Sequence, residues 1–275
     1  MGILIADSGG TKTDWAYLSD SGRDFFSGSG LHPAYLTDDQ IANEIKATVS
    51  VNPKQVYFYG AGCHGSGPAS KIEKAIKQVF PDALAMVKDD LTGVARAHLQ
   101  RSDGLIAALG TGSICGRYEA GEILKRSAAL GYAIGDEGSA ADLGRTILKA
   151  FFRETLNPET ANVASTRLNH ASYSEWMDQI YNSDRPNREL AAVAGMVLID
   201  PLTNQLREMI STCFLDFIDS QLSSLTPDQN DLIVCSGSVA VAHAGILLDA
   251  LSKRGFEIVR IKDNVIKGLA DYHVA

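Results

Sequence analysis

The stretch Ile3-Leu4-Ile5-Ala6-Asp7-Ser8-Gly9-Gly10-Thr11-Lys12-Thr13-Asp14-Trp15-Ala16-Tyr17-Leu18 decides the fold. A short apolar run ends on an acid, passes a glycine pair, and resumes as a second run carrying tryptophan and tyrosine. That pattern predicts two antiparallel strands joined by a tight turn. A glycine pair between strands is by itself most often a hairpin device. Here the turn also gathers an aspartate, two threonines and a lysine between Asp7 and Thr13. Glycine lets backbone N–H groups approach an anion with no Cβ in the way, and hydroxyls add donors. The expectation is a phosphate-binding turn, with Asp7 at the strand end placed to hold Mg²⁺ through water.

Working outward, Gly22 makes another turn before a third strand at 25–27. Residues 37–49 have helical spacing (Ile41, Ile45, Val49) and a start signal at Thr37-Asp38. A strand at 56–59 runs into Gly60-Ala61-Gly62, followed by a helix at 68–80, a strand at 84–87 and a helix at 90–99. The order then begins again. An apolar strand at 105–109 ends in Gly110-Thr111-Gly112-Ser113, and strands at 114–118 and 123–126 flank the turn Ala120-Gly121. A helix at 139–152 and a helical stretch at about 158–222 follow. A strand at 232–235 runs into Ser236-Gly237-Ser238, with a helix at 239–253, a strand at 256–261 and a last helix at 265–272.

Both halves therefore read strand–strand–strand–helix–strand–helix–strand, the second with a large helical insertion. This element-level repeat predicts two related α/β domains facing each other across a central cleft, where ligands favour binding. The expected division is 1–103 and 104–262, with the insertion at about 155–225 and a C-terminal helix at about 263–275 returning to the first domain.

Bulk properties narrow the function classes. The chain has 275 residues, 45% hydrophobic and 21% charged, an ordinary globular composition. A formal net charge of −8 repels phosphodiester backbones and anionic lipid heads, so neither nucleic acid nor membrane is an expected partner. A small nucleotide is still admitted, because its phosphates are held largely by backbone N–H groups and a metal ion. The first residues show no secretory signal pattern, no apolar run is of membrane-spanning length, and Cys63, Cys115, Cys213 and Cys235 are scattered. Together these predict a cytoplasmic protein with reduced thiols. A homodimer is the default expectation.

Two nucleotide motifs are tested and set aside. There is no G-x-x-x-x-G-K-[ST], which removes the P-loop class. Leu109 to Gly116 imitates a dinucleotide fingerprint, but that fingerprint must open a helix whose N-terminus takes the pyrophosphate. Here Arg117-Tyr118-Glu119-Ala120-Gly121-Glu122 continues as strand and turn. Cys63-His64 lacks a second ligand pair at metal spacing, and the remaining histidines form no H-E-x-x-H.

Four segments in order carry a resemblance: Asp7 to Trp15, Asp90-Leu91-Thr92-Gly93-Val94, Gly110-Thr111-Gly112-Ser113, and Gly135-Asp136-Glu137-Gly138-Ser139-Ala140. The chain resembles the N-acetylglucosamine kinase group of the BadF/BadG/BcrA/BcrD-type ATPases, in the actin-like, sugar kinase and Hsp70 superfamily. The match runs from Ile3 to about Arg145 and resumes at Cys235-Ser236-Gly237-Ser238. It implies two ribonuclease H-like (actin-like ATPase) domains around the cleft, ATP and Mg²⁺ as cofactors, and a small-molecule sugar as acceptor.

By residue, the resemblance implies Asp90 as the catalytic base, with its neighbour Asp89 as the runner-up; a plain N-cap role for Asp90 is compatible with catalysis. Gly9, Gly10, Thr11, Lys12 and Thr13 would bind the ATP phosphates, as would Gly110, Thr111, Gly112 and Ser113 from the second turn. Gly237 and Ser238 would lie under the adenosine. His32, Asp90, Thr111, Gly112 and Asp136 would face the sugar. The plain reading of Asp136 and Glu137 is a pair of solvated acids ahead of a helix. Two positions depart from the family pattern: His32 stands before Pro33 where many members carry asparagine, and Ile114 replaces another asparagine.

The implied activity is phosphoryl transfer from ATP to the 6-hydroxyl of N-acetylglucosamine or a related amino sugar. The alternatives are an ATP-driven activator of a radical dehydratase, whose relatives carry cluster-binding cysteines at a dimer interface, and a sugar or nucleotide sensor without turnover.

Overall fold

A computed structural model describes residues 2–170, 172–228 and 230–274. The chain divides into two compact units. Unit 1 comprises residues up to 103, 118–123 and from 264 on; unit 2 comprises 104–117 and 124–263.

In unit 1, β1 (Gly2–Ser8), β2 (Lys12–Ser19) and β3 (Gly22–Ser29) form an antiparallel meander. It is followed by α1 (Asp38–Thr48), β4 (Gln55–Gly60), α2 (Ser66–Val79), β5 (Leu84–Asp89) and α3 (Asp90–Leu99). The sheet order is β3-β2-β1-β4-β5, with β4 parallel to both β1 and β5. β1 is central and buried on both faces, so it reads as a continuous apolar run instead of an alternating one. Its alternate side chains feed two cores. Leu4 and Ala6 pack with Ile41, Ile45, Ile72 and Ile76 of α1 and α2. Ile3 and Ile5 pack with Ala97 of α3 and with Ile266, Leu269 and Ala270 near the C-terminus.

Local chemistry sets the helix boundaries. Thr37 caps α1 in a capping box: its hydroxyl accepts from the Gln40 amide, and the Gln40 side chain accepts from the Thr37 amide. At α3 the cap is Asp89, whose carboxylate accepts from the Thr92 amide at 3.0 Å and the Thr92 hydroxyl at 3.2 Å. Asp90 is therefore the first residue inside the helix, not its cap.

Unit 2 repeats the plan. β6 (Gly104–Leu109), β7 (Ser113–Glu119) and β8 (Glu122–Arg126) lead into α4 (Gly131–Ile134) and α5 (Ala140–Phe152). The helical insertion consists of α6 (Pro158–Arg167), α7 (Tyr173–Tyr181), α8 (Pro186–Val197) and α9 (Asn204–Phe217), the last extended by a wider and then a tighter helical turn to Leu225. Then come β9 (Ile233–Ser236), α10 (Ser238–Ala242), α11 (Ala244–Lys253) and β10 (Val259–Lys262). The order β10-β9-β6-β7-β8 is that of unit 1 element for element, with β6 in the place of β1. α5 and α8 approach so closely that a Cβ on Gly144 would collide with the Leu190 carbonyl.

The final helix, α12 (Val265–Tyr272), belongs to unit 1 and packs on α3. A Cβ at Gly268 would collide with the Ala97 carbonyl, and the Gln100 amide group bridges the carbonyls of Ala97 and Gly268 at 2.8 and 3.0 Å.

Several elements differ from the sequence expectation: the third strand spans Gly22–Ser29, longer than the expected 25–27, and α4 has no expected counterpart. The single helix expected at 239–253 is broken at His243, whose φ of −117° and ψ of 33° are not helical. The strand expected from 256 begins at Val259. No helix among the described residues is long and apolar enough to cross a membrane.

Candidate active site

In unit 1 the turn between β1 and β2 is closed by the Gly9 amide donating to the Lys12 carbonyl at 2.9 Å. Gly30 lies against it: its amide donates to the Thr11 carbonyl at 2.9 Å, and a Cβ there would stand 2.6 Å from Gly9, Gly10 and Thr11 backbone atoms. The turn is thus fixed from behind by a residue that must be glycine. Gly9, Thr11 and Lys12 are exposed, and Gly10 is half-buried. Lys12 pairs with Asp14 at 2.7 Å, and the Thr11 hydroxyl makes no hydrogen bond among the described residues.

Thr13 departs from the phosphate-binding expectation. It is fully buried, its Oγ1 donates to the Ser29 carbonyl at 2.8 Å, and it shares a 2.8 Å hydrogen bond with the Ser8 hydroxyl. The Leu31 amide in turn donates to Ser8 Oγ at 3.0 Å. The Thr13 side chain therefore ties the turn to the β3 exit, and its hydroxyl is already engaged within the fold.

Asp7, next to last in β1, is in register with Asp14 of β2 and Tyr59 of β4. Burial pushes its carboxyl up to about 7, and the negative charges of Asp90 and Asp14 add to this against the weaker opposing pull of Lys12. Asp90 thus lies close enough to Asp7 to disfavour its ionisation. It is half-buried, and its Oδ1 accepts from the Leu91 amide at 2.9 Å. Asp89 is only 9% exposed and its carboxylate is spent on the helix cap, so the two neighbours have different work.

His32 lies at the end of the segment that backs the turn. Its Nδ1 accepts from the Ala34 amide at 3.2 Å, which leaves the neutral-ring proton on Nε2. Its ring sits 4.6 Å from that of Tyr35 and lies directly on Gly62, where a Cβ would meet it at 2.5 Å.

Unit 2 holds the second group. The Gly110 amide donates to the Gly112 carbonyl at 2.9 Å, and the Ala140 amide donates to the Gly110 carbonyl at 2.8 Å. Thr111 is exposed and its hydroxyl, like that of Thr11, makes no hydrogen bond among the described residues. Asp136 adopts a φ of +57° and lies over the turn, its carboxyl about 3 Å from where a Gly112 Cβ would stand. The Ser113 amide donates to it at 3.4 Å. Burial raises the Asp136 pKa; the Ser113 amide and Arg145 oppose that, while Glu137 and Asp142 reinforce it. Gly237 has a φ of +103°, and a Cβ on it would collide with the Leu109 carbonyl. The expected adenosine turn, with Ser238 exposed, therefore abuts the end of β6 beside Gly110.

Ser113 is the counterpart of Thr13 and departs from expectation for the same reason. It is buried, its Oγ donates to the Glu137 carbonyl at 2.8 Å, and it accepts from the Gln221 amide group at 2.8 Å. Gln221 also donates to Glu137 at 2.8 Å and accepts from Ser127 at 3.0 Å. Sequence reading missed Gln221, for a polar residue among the last helical residues before β9 carries no local signal. It also missed Asp142, which accepts from the Gly138 amide at 3.0 Å and pairs with Arg145 at 2.7 Å, fixing the loop that presents Asp136.

For a metal, no group of three or more His, Cys, Asp or Glu side chains among the described residues is arranged to hold an ion. At Asp7, burial first and then the Asp90 and Asp14 charges suppress ionisation, with only Lys12 opposing, and a hydrated divalent cation there would offset that excess of negative charge.

No family model matches the chain. An N-acetylmuramic acid/N-acetylglucosamine kinase of Clostridium acetobutylicum is 29% identical over 142 residues, 50% of this chain and 46% of that protein. The matched segment spans just under half the length of that curated relative. A Porphyromonas gingivalis structure, provisionally assigned as an N-acetylglucosamine kinase, is 27% identical with a TM-score of 0.90 over 98% of both chains. A Chromobacterium violaceum structure with the same provisional assignment has 18% identity and a TM-score of 0.75, again over 98% of both chains; at that identity the likeness is one of fold. Over nearly its whole length the chain has the two-domain α/β fold of the actin-like sugar kinases, and its likeness to the N-acetylglucosamine kinases extends from its motifs to its three-dimensional structure.

Proposed function

We propose that the protein is an ATP-dependent sugar kinase that phosphorylates the 6-hydroxyl of N-acetylglucosamine or a related amino sugar in the cytoplasm. The observation that carries this reading is that Asp7 and Asp90 stand at one edge of the unit 1 sheet, Asp7 in register with Tyr59 of β4 and Asp89, just before Asp90, with Gly60, beside a turn whose exposed Thr11 and Lys12 can meet phosphates. Phosphoryl transfer depends mainly on positioning and charge stabilisation, plus a base for the attacking hydroxyl.

In this mechanism Asp90 accepts the hydroxyl proton as the sugar oxygen bonds to the γ-phosphorus and the bond to the β–γ bridging oxygen breaks, releasing ADP. The turn at Gly9 and Gly10 with Thr11 and Lys12, and the turn at Gly110 and Gly112 with Thr111, hold the phosphates, the Gly9 and Gly110 amides closing the two turns. Asp7 would hold Mg²⁺ through water, and that ion would neutralise charge on the β- and γ-phosphates. Gly237 and Ser238 carry the adenosine. Asp136 and His32 orient the sugar, Asp136 as an acceptor for its hydroxyls. Thr13 and Ser113 contribute by fixing the two turns.

A coupled ADP-release assay over a panel of sugars tests this. N-acetylglucosamine is expected to raise ADP release with Mg·ATP about tenfold or more above the sugar-free rate; if no sugar raises it, the kinase reading is lost. The dehydratase-activator reading finds less support, because all four cysteines are buried and burial pushes each thiol up to about 12.

A further inference from the structure

Unit 2 carries an open cavity of about 570 Å³ that none of the candidate active-site residues lines. That volume lies in the range of small-molecule sites, roughly 300–1,000 Å³. One wall is a stripe of cations on α5 and its C-terminal cap, Arg145, Lys149 and Arg153, spaced four residues apart and so on one helix face. The rest of the lining is largely aromatic and apolar: Phe152 of α5 meets Tyr173 of α7 edge to face at 5.4 Å, and Tyr181 lies at the other end of α7. No lining residue is acidic. Arg145 is held in place by Asp142 and by the Tyr132 and Ala133 carbonyls at 3.0 and 3.1 Å. The side chains of Lys149 and Arg153 are exposed and make no ion pair among the described residues.

On a chain of net charge −8, this aromatic hollow is lined by three cations and no acid. Tyr173 and Tyr181 are 61% and 80% exposed, large rings left in solvent at its rim. We propose that this cavity is a second ligand site, which takes a small amphipathic organic anion: an aromatic or aliphatic body carrying a carboxylate or phosphate. The rings would cover the body while Lys149 and Arg153 meet the anionic group. A second copy of the chain is a poorer occupant, since a two-fold contact would set this cationic stripe near its own image. The site does not depend on the kinase reading. It does adjoin the loop bearing Asp136, because Arg145 pairs with the same Asp142 carboxylate that accepts from the Gly138 amide.

Calorimetric titration of the full chain with 1-naphthyl phosphate, 1-naphthoate and uncharged 1-naphthol tests the proposal. At least one anion is expected to bind about tenfold or more tightly than naphthol, the scale of one charge-assisted contact. The double variant Lys149→Glu with Arg153→Glu, both surface positions, should abolish that preference while leaving the thermal melt unchanged. Tyr173→Ala should weaken all three ligands that bind. The proposal is overturned if naphthol binds as tightly as both anions, if nothing binds, or if the double variant leaves anion binding intact. It is equally overturned if sedimentation shows a dimer that the double variant dissociates, which would assign the face to a second copy.

Discussion

Asp7 and Asp90 show how two carboxylates of one type acquire different tasks from their surroundings. Asp7, partly buried near a strand end and facing like charges, has its carboxyl pushed up to about 7, well above an ordinary aspartate. A folded-state pKa raised from about 3.8 means that the native protein holds a proton which the unfolded chain has released. The contribution of Asp7 to stability is therefore fully present below about pH 4 and is lost as pH rises towards 7. Without metal or nucleotide, the melting temperature should fall across that window, and Asp7→Asn should flatten this part of the profile. An unchanged profile in the variant would remove Asp7 as its source. If Mg²⁺ displaces that proton, its binding should strengthen from pH 5 to 8 and release protons, measurable by calorimetry in two buffers. For Asp90, the expected result of Asp90→Asn is a loss of turnover of about 10²- to 10⁴-fold with ATP binding retained. A variant that keeps its turnover would show that Asp90 is not the base.

The two glycine turns are equivalent elements of a duplicated fold, and each divides its hydroxyls in the same way. Thr11 and Thr111 are exposed, whereas Thr13 and Ser113 are buried and hydrogen-bonded to the carbonyls of Ser29 and Glu137. Thr13→Val should thus destabilise unit 1 by about 1–3 kcal/mol, because the Ser8 hydroxyl and Ser29 carbonyl lose a buried partner. Thr11→Val should leave stability within about 0.5 kcal/mol and instead raise the KM for ATP. Denaturant melts and steady-state kinetics separate the two; equal effects on both would refute the division. The element order was legible because strand runs end on glycine-rich turns and α1 and α5 carry clear N-cap residues. Less was legible where distant residues decide. Nothing near residue 13 shows that its hydroxyl points inward, nor that Asp89 would take the cap and leave Asp90 inside the helix. Gln221 joins Ser113 and Glu137 only after the insertion has folded.

At the scale of the molecule, the sequence repeat maps onto two sheets of identical strand order, yet the units are not simple halves of the chain. Unit 1 is completed by α12, whose Ile266, Leu269 and Ala270 cover the β1 residues Ile3 and Ile5. The same helix brings His273 beside Tyr59, whose hydroxyl shares a 2.9 Å hydrogen bond with His273 Nε2 and accepts from Arg96 at 3.2 Å. This closure joins residues more than 200 positions apart, so unit 1 cannot complete its core until the distal helix has docked. Leu269 is fully buried on that face. Truncating it to alanine removes buried methyl groups and opens a cavity, a change that costs about 2–5 kcal/mol in comparable cores. The loss should fall on unit 1 alone. By hydrogen exchange, amides of β1, β2 and α3 should lose protection in Leu269→Ala while those of β6, β9 and α5 keep theirs. Equal loss in both sheets would mean that the two units unfold as one cooperative body and that α12 stabilises the whole chain.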